Sequence, residues 1–479
     1  MPDAFQQPRH TPARVVCGAG EVRSVGPFFG DARPDAAVLG DPDMGQVLIA
    51  LSRALDITEG QPPGHAMRAA CISSHVARAL GLGVDATADI FYTGLLKDLG
   101  CSSNAARICA LYLTDDLTFK HDFKLVGDSL PQALRFVLNH TGLQSGLASR
   151  FRAVLNIVRN GGEIVSELIE TRCQRGASIA RRIGFSEAVA TGIHDLDEHW
   201  DGSGRPSGLR GESISLYARI ALLSQVTDVF RTSSGPKAAL HEVFLRRGTW
   251  FDPQLVNCLH DIAGAAFWEE LADPDLEARM RACDAARNVR LAGRVGLDEI
   301  AAGFAEVIDA KSPFTAGHSA RVALYAEMIA DEFGFSLERR SVLGRAALLH
   351  DIGKLGVSNQ ILDKPGKLDE AEWRAIRAHP VDGCAILGSV DSFSYLARIA
   401  EAHHERIDGK GYPYGLGERD LDLETRIVCV ADVFDALTAD RPYRAAMPLE
   451  KAMSIMVADA GTAFDPDCVK ALQRIAANL

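Results

Sequence analysis

The pattern of apolar and polar residues along the chain predicts a helical protein. Over residues 318–335, apolar side chains recur three and four residues apart, which places them on one face of an α-helix. They are Val322, Tyr325, Ala326, Ile329, Ala330 and Phe333. Similar stripes follow throughout most of the chain after residue 45, whereas the alternation typical of β-strands is scarce. We therefore expect an all-α fold with loops rich in glycine and proline between the helices.

Two parts of the chain carry the same motifs in the same order. GHAMR at 64–68 matches GHSAR at 317–321, and LLKDLG at 95–100 matches LLHDIG at 348–353, both at an offset of 253 residues. Self-similarity at a fixed offset is the mark of an internal repeat. We therefore expect the chain to contain a duplicated unit.

The offset between the two copies changes further along the chain. EHWDGSGRPSGL at 198–209 matches ERIDGKGYPYGL at 405–416 at an offset of 207, so the first copy contains an insertion of 46 residues. GTWFDP at 248–253 and GTAFDP at 461–466 extend the match to nearly the whole of each half. We expect a flexible tail, a first domain, a helical linker and a second domain, with the boundaries 1–45, 46–270, 271–298 and 299–479.

The composition is typical of a globular protein and argues against some partners. Of the 479 residues, 47% are hydrophobic and 24% charged. The net charge of -12 and the lack of a Lys/Arg-rich run argue against a DNA-binding surface. No apolar stretch approaches the roughly 20 residues that a membrane-spanning helix needs, and the ten cysteines form no CxxC pair. We expect a cytoplasmic protein that binds no DNA and spans no membrane.

Histidines and aspartates of the second copy are the candidates for a chemical site. The histidines that follow residue 260 all fall in short polar motifs, and they are His318, His350, His379, His403 and His404. His350 and Asp351 close an apolar run, where a buried charged pair is costly unless a cation neutralises it. Asp432 lies in another apolar stretch. Imidazoles and carboxylates together suit Fe, Mn, Zn or Co, and a carboxylate such as Asp351 can bridge two ions.

The motifs of the second copy also resemble those of a known enzyme family. GHSARVALYA, LLHDIGK, AHPVDG, HHERIDGKGYP and ADVFDALTADRPYR, in this order over about residues 300–470, are similar to the HD-GYP phosphodiesterases, a branch of the HD superfamily of metal-dependent phosphohydrolases. The resemblance implies two all-α HD-superfamily domains in tandem, joined by a helical connection. It also implies hydrolysis of cyclic di-GMP to linear pGpG, to GMP or to both.

The resemblance further implies the roles of individual residues. Two divalent ions, Fe or Mn foremost and Zn, Co or Ni as alternatives, would be held by His318, His350, Asp351, His379, His403, His404 and Asp432. Asp351 and Lys354 would be catalytic, and Lys354 would contact a substrate phosphate. The cyclic dinucleotide would also meet Gly411, Tyr412, Pro413, Arg441, Tyr443 and Arg444. Asp435 is expected to form local hydrogen bonds rather than to bind metal.

The first copy lacks most of the proposed metal ligands. Only His65 and Asp98 are kept, and we expect them and Asp197 to form structural hydrogen bonds. The replacements at the other positions are Lys97, Arg172, Leu196, Asp197 and Gln225. Cationic side chains at these positions would repel a metal ion. We therefore predict a metal-free, inactive HD-like domain with a role in dimerisation, regulation or ligand sensing.

Two alternatives to cyclic di-GMP hydrolysis remain open. One is a non-catalytic cyclic-dinucleotide receptor or interaction hub, which the loss of ligands in the first copy favours. The other is hydrolysis of another cyclic dinucleotide such as cyclic GMP-AMP, because the chemistry at phosphorus is the same. We also expect a homodimer formed through the first copy and signalling-protein partners at the Gly411–Pro413 loop.

Overall fold

A computed structural model of the chain describes residues 44–125, 130–143, 146–282, 296–440 and 444–477. Within these ranges every regular element is a helix, and β-type pairing is limited to isolated bridges. The expected all-α fold is confirmed. Residues 1–43 of the predicted tail lie outside the described residues, and Met44 already begins the first helix. Among the described helices, none is long and apolar enough to cross a lipid bilayer.

The helices of the first copy precede residue 283. They are α1 (Met44–Thr58), α2 (His65–Ala79), α3 (Val84–Leu96), α4 (Ala105–Tyr112), α5 (Asp116–Phe123), α6 (Leu130–His140), α7 (Leu147–Ile183), α8 (Glu187–His194), α9 (Leu216–Ser234), α10 (Pro236–Leu245), α11 (Pro253–Ile262), α12 (Ala265–Ala272) and α13 (Leu276–Ala282). The predicted linker 271–298 thus begins as helix, and its residues 283–295 lie outside the described residues.

The second copy repeats this order of helices. They are α14 (Leu297–Asp309), α15 (His318–Glu332), α16 (Leu337–Leu349), α17 (Asn359–Leu362), α18 (Glu370–Leu387), α19 (Ser394–Ala402), α20 (Leu423–Thr438), α21 (Leu449–Ala458) and α22 (Pro466–Ala476). At the offset of 253 residues, α2 and α3 coincide with α15 and α16 from end to end. The repeat seen in the sequence is therefore also a repeat of helices.

The predicted apolar stripe over 318–335 lies on α15. Val322, Ala326, Ile329 and Ala330 are buried, and Tyr325 and Phe333 are partly buried against the core. The helix begins directly after Gly317, whose φ of 69° lies in the left-handed region that favours glycine. This turn places His318 at the first position of the helix.

The insertion of the first copy lies within the stretch that contains α4, α5, α6 and the beginning of α7. It has a small apolar cluster of its own, formed by Ile108, Tyr112, Phe119, Phe136 and Ile157. Since α18 of the second copy corresponds to residues 163–180 of α7, the insertion also lengthens that helix at its start.

The two copies share one continuous core. The first helix of each copy packs against the other copy: α1 contacts the turn at 352–356 and α18, and α14 contacts α7. At Gly303 of α14 the contact is so close that a Cβ atom would lie 2.6 Å from Cγ1 of Ile183. The first copy therefore supports the segment that carries the candidate site of the second.

Candidate metal centre

The structure brings together all seven side chains that the sequence singles out as metal ligands. They come from α15, the end of α16, α18, the end of α19 and α20. Six of the seven are buried, and the side chain of His404 is 20% exposed. Because these elements are far apart in the chain, the packing of the helices alone creates the cluster.

The seven side chains form two groups, and within each group the potential ligand atoms lie within 4.8 Å of one another. The first group is His318, His350 and Asp432, and the second is Asp351, His379, His403 and His404. Asp351 faces both groups, since its Oδ2 lies 3.5 Å from His318 Nε2 and its Oδ1 lies 3.4 Å from His379 Nε2. A carboxylate in this position can bridge two metal ions.

Two of the histidines are oriented by the ends of helices. His350 follows α16 and His403 follows α19, where the last carbonyl groups have no partner within the helix. The Nδ1 of His350 donates to the carbonyl oxygen of Ala347 at 2.6 Å, and the Nδ1 of His403 donates to that of Ala400 at 2.6 Å. With the hydrogen on Nδ1, the Nε2 lone pair of each ring points into the cluster.

His379 is oriented by a proline inside α18. Pro380 has no N–H, so the carbonyl oxygen of Ile376, four residues earlier, receives no helical hydrogen bond from it. The Nδ1 of His379 donates to this oxygen at 2.6 Å. The His-Pro pair thus satisfies the carbonyl group and directs Nε2 toward Asp351.

Asp435 and Arg321 fix the ring of His318 from its Nδ1 side. Its Nδ1 lies 2.7 Å from Oδ2 of Asp435, and the same carboxylate accepts hydrogen bonds from Arg321. The prediction that Asp435 bonds only locally was wrong, because His318 precedes it by 117 residues. Carboxylates that fix the ring of a metal-binding histidine are a recurrent feature of metal sites.

The arrangement fits bound cations. The Nε2 atoms of His318 and His350 and Oδ1 of Asp351 are buried without a hydrogen-bond partner among the described residues. The Nε2 atoms of His379 and His403 are 3.2 Å apart, although both rings donate through Nδ1. Two lone pairs at this distance repel, and a cation beside them removes the conflict.

The charge of the cluster differs between its two groups. Burial favours neutral imidazole, yet the carboxylates of Asp351 and Asp432 raise the pKa of His318 and His350 above the usual value. Burial lowers the pKa of His379 to about 4, and it also lowers that of His404. The second group, with neutral imidazoles beside the ionised carboxylate of Asp351, is thus in the protonation state that metal binding requires, whereas the first group would release protons when it binds metal.

A cavity of about 780 Å³ opens beside the second group. Its walls include Asp351, His379 and His404. Lys354 also lines the cavity, and its Nζ lies 2.6 Å from Oδ2 of Asp351. A positive side chain next to the cluster supports the predicted contact of Lys354 with a phosphate.

The other predicted substrate contacts differ in their positions. Tyr412 lines the cavity, but a Cβ atom on Gly411 would lie 2.4 Å from Cα of Glu405, so Gly411 serves the close packing of its loop. The guanidinium of Arg444 donates to the carbonyl oxygens of Ala436 and Leu437 at the end of α20. Arg441 and Tyr443 lie outside the described residues. For all of these residues a contact with substrate remains a prediction.

Several supporting residues were missed in the sequence. Glu405 accepts hydrogen bonds from three backbone N–H groups of the loop at 414–416, and Asp309 accepts from the N–H and hydroxyl groups of Ser319. Both residues are kept in the first copy, as Glu198 and Asp56. Identity between the copies at positions outside the ligand set was the signal that could have found them.

The first copy keeps the hydrogen-bonded residues that support the site but lacks most of the proposed metal ligands. His65 and Arg68 both bind Asp228, as His318 and Arg321 bind Asp435. At the ligand positions, Lys97 contacts Asp98, Arg172 contacts Asp197, and Leu196 is buried. The expectation of structural hydrogen bonds is thereby confirmed for His65 and Asp98, whereas Asp197 forms an ion pair with Arg172.

Two smaller groups of potential ligands lie in the first copy. One group is Cys71, His75 and Glu270, and the other is Glu59, Asp98 and Cys101. In the second of these, the lysine Lys97 already contacts Asp98. That the first copy is metal-free stays a prediction.

Known proteins share this architecture. The family model for the HD domain matches residues 143–255 and 303–468. The 3'3'-cGAMP-specific phosphodiesterase 3 of Vibrio cholerae is 50% identical over 432 residues, which cover 90% of this chain and 94% of that protein. The cyclic di-GMP phosphodiesterase response regulator RpfG of Xanthomonas campestris is 42% identical over 177 residues, which cover 36% of this chain and 47% of that protein.

A solved structure is similar over both copies. The crystal structure of the cyclic GMP-AMP specific phosphodiesterase V-cGAP3 of V. cholerae covers 91% of this chain and 97% of its own, with a TM-score of 0.60 and 45% identity. The chain belongs to the HD domain family. Within that family it is one of the HD-GYP phosphodiesterases, with two HD units in tandem.

Proposed function

We propose that the second copy hydrolyses a phosphodiester bond of a cyclic dinucleotide, with cyclic di-GMP as the substrate that the motifs predict. The observation that carries the proposal is the convergence of imidazole Nε2 atoms on the two oxygens of one buried carboxylate, Asp351. Such a set of ligands suits two divalent ions, with Fe or Mn foremost and Zn, Co or Ni as alternatives. When bound, such ions would activate a water molecule and stabilise charge on the phosphate.

Side chains of the protein itself would position the ligands, bind a phosphate oxygen and line the cavity. Asp351 lies between the two groups of ligands, because each of its oxygens faces one group. It would thereby fix the relative position of the two groups. Lys354 presents an ammonium group to the cavity beside Asp351, where it would hold a phosphate oxygen. The cavity has mostly apolar walls, including Ile361, Leu362 and Ile376.

A second candidate substrate is 3'3'-cGAMP. The relative that matches 90% of this chain is named as specific for this compound, whereas the cyclic di-GMP phosphodiesterases of X. campestris and Thermotoga maritima match 36% and 33%. Comparison of kcat/KM for cyclic di-GMP and 3'3'-cGAMP on the same metal-loaded enzyme would decide between them.

The test of the proposed function combines metal content with turnover. We expect the full-length protein to hold two equivalents of Fe or Mn and to release the linear dinucleotide. Asp351→Ala should lose both equivalents and all turnover, and His350→Ala should lose the metal of its group. His260→Ala, at a side chain that is 75% exposed in the first copy, is the control and should match the wild type.

The proposal would be wrong if no divalent metal supported hydrolysis of any cyclic dinucleotide. Retention of full metal content by Asp351→Ala would equally exclude this site. Binding of a cyclic dinucleotide without turnover would instead support the alternative of a receptor or interaction hub.

We also propose a cellular location and protein partners for this activity. A cytoplasmic location is supported by the free cysteines among the described residues, which suit a reducing compartment. The first copy would serve for homodimerisation, and the Gly411–Pro413 loop for contact with signalling proteins. Sedimentation of the full chain would test the dimer.

A further inference from the structure

A row of ring and cation–π contacts runs from His404 of the metal centre to Trp373. The rings of His404 and Tyr412 lie 4.7 Å apart between centroids. The guanidinium carbon of Arg377 lies 5.6 Å from the ring centroid of Tyr412 and 5.6 Å from that of Trp373. Arg377 thus stands between two aromatic rings, a position in which cation–π attraction holds all three side chains.

The outer end of this row is open to a ligand. Trp373 lines the cavity and is 44% exposed, so one face of its ring is accessible to a ligand. Among the described residues no carboxylate pairs with Arg377, so its charge remains available.

The distance along α18 suits one nucleotide. Trp373, Ile376 and His379 all face the cavity from this helix. Trp373 precedes His379 by six residues, which is about 9 Å along the helix axis. A phosphate at the metal centre would therefore place its own base near Trp373.

We propose, on the basis of the proposed function, that Trp373, Arg377 and Tyr412 form a stacking platform for one purine base of the cyclic dinucleotide. Aromatic rings and arginine planes are the side chains that bind unstacked bases in proteins. The platform fixes the orientation of the nucleotide, while the reacting phosphate meets the metal centre and Lys354.

Fluorescence can detect the platform directly. Trp373 is the one tryptophan of the second copy, and Trp200, Trp250 and Trp268 lie in the first. Titration of the metal-loaded full chain with GMP should quench tryptophan emission, because a stacked purine contacts the indole. The quench should disappear in Trp373→Phe and persist in the control Trp268→Phe.

Inhibition separates base binding from phosphate binding. GMP and ribose 5-phosphate share the phosphate and sugar, but only GMP carries a purine. In Trp373→Leu we expect inhibition by GMP to weaken about tenfold, as for loss of one stacked base. Inhibition by ribose 5-phosphate should be unchanged. KM for the cyclic dinucleotide should rise by a similar factor with little change in kcat, and Trp373→Phe should restore part of the loss.

The platform would be excluded if Trp373→Leu kept the KM of the wild type and its inhibition by GMP. Equal weakening of GMP and ribose 5-phosphate would also exclude it, since this would indicate a disturbed metal centre. Failure of the proposed function would look different: GMP would quench Trp373 while no cyclic dinucleotide was hydrolysed.

Discussion

The Nζ of Lys124 lies 3.7 Å from Oδ1 of Asp98, the carboxylate that corresponds to Asp351 of the second copy. Lys97 contacts the other oxygen of Asp98. Burial by itself would raise the pKa of Asp98, but these two ammonium groups hold it well below its usual value. Two lysines thus flank the carboxylate of the first copy, where the second copy presents two groups of metal ligands.

This relationship predicts that Lys124 is essential for the stability of the first copy. Its Nζ also lies 2.8 Å from Oε2 of Glu59, and the side chain is 9% exposed. Lys124→Met would leave two buried carboxylates without this cation, so we expect a loss of about 3–5 kcal/mol in the free energy of unfolding. Urea unfolding would measure it. The control Lys470→Met, at a side chain that is 63% exposed, should change it by less than about 0.5 kcal/mol. Equal effects of both variants would contradict the prediction.

Lys97→His alone should not restore metal binding to the first copy. The variant regains one imidazole, but Lys124 and Arg172 keep their positive charge, and Leu196 and Gln225 replace ligands of the second copy. Metal analysis should therefore give the wild-type content. The reciprocal variant His350→Lys should lose metal from the second copy. An additional equivalent in Lys97→His would show that the surrounding charges do not exclude a metal ion.

Asp435 should act on the metal centre through His318. Asp435→Asn weakens the hydrogen bond that fixes the ring, so we expect metal affinity at the first group to fall by about 10–100-fold. Titration with Mn, followed by metal analysis, would measure the change. Asp228→Asn, the matched variant of the first copy, should leave the affinity unchanged. If both variants lost metal to the same extent, the effect would come from the fold rather than from His318.

Asp116 of the insertion should make the contact between the copies sensitive to acid. Its Oδ2 lies 3.2 Å from Nζ of Lys311, and its Oδ1 accepts from the backbone N–H of Asn359 at 2.9 Å. Burial alone would raise the pKa of Asp116, but Lys311 and Lys120 hold it below the usual value. A carboxyl whose pKa is lowered by folding stabilises the protein at neutral pH, and this contribution is lost as the pH falls below about 4, the pKa of an unperturbed carboxyl, and through the lowered pKa of the folded state.

Asp116→Asn should therefore reduce the free energy of unfolding at pH 7, and its difference from the wild type should shrink as the pH falls below about 4. Urea unfolding over a pH series would follow this difference. Asp261→Asn, at a side chain that is 81% exposed, should show little effect at any pH. A difference for Asp116→Asn that did not change with pH would exclude the ion pair as its cause.

The helices and the candidate ligands could be predicted from the sequence because each depends on residues within a short stretch of chain. The stripe around Val322 and Ile329 repeats with the period of one helix, and α15 forms there. His350 and Asp351 stand in an apolar run, where their charge requires a partner. Comparison of the two copies then showed which ligand positions the first copy has lost, such as that of His379, which is Arg172 there.

The sequence by itself determined the all-α class, the duplication and the identity of the side chains that converge, since local periodicity and residue chemistry suffice for these. Only the tertiary structure decided what holds and surrounds them. Asp435 bonds to His318 across 117 residues, Lys124 lies beside Asp98 from the insertion, and Trp373 and Tyr412 line one cavity. Such contacts depend on how whole helices pack, and no local pattern of the chain encodes that packing.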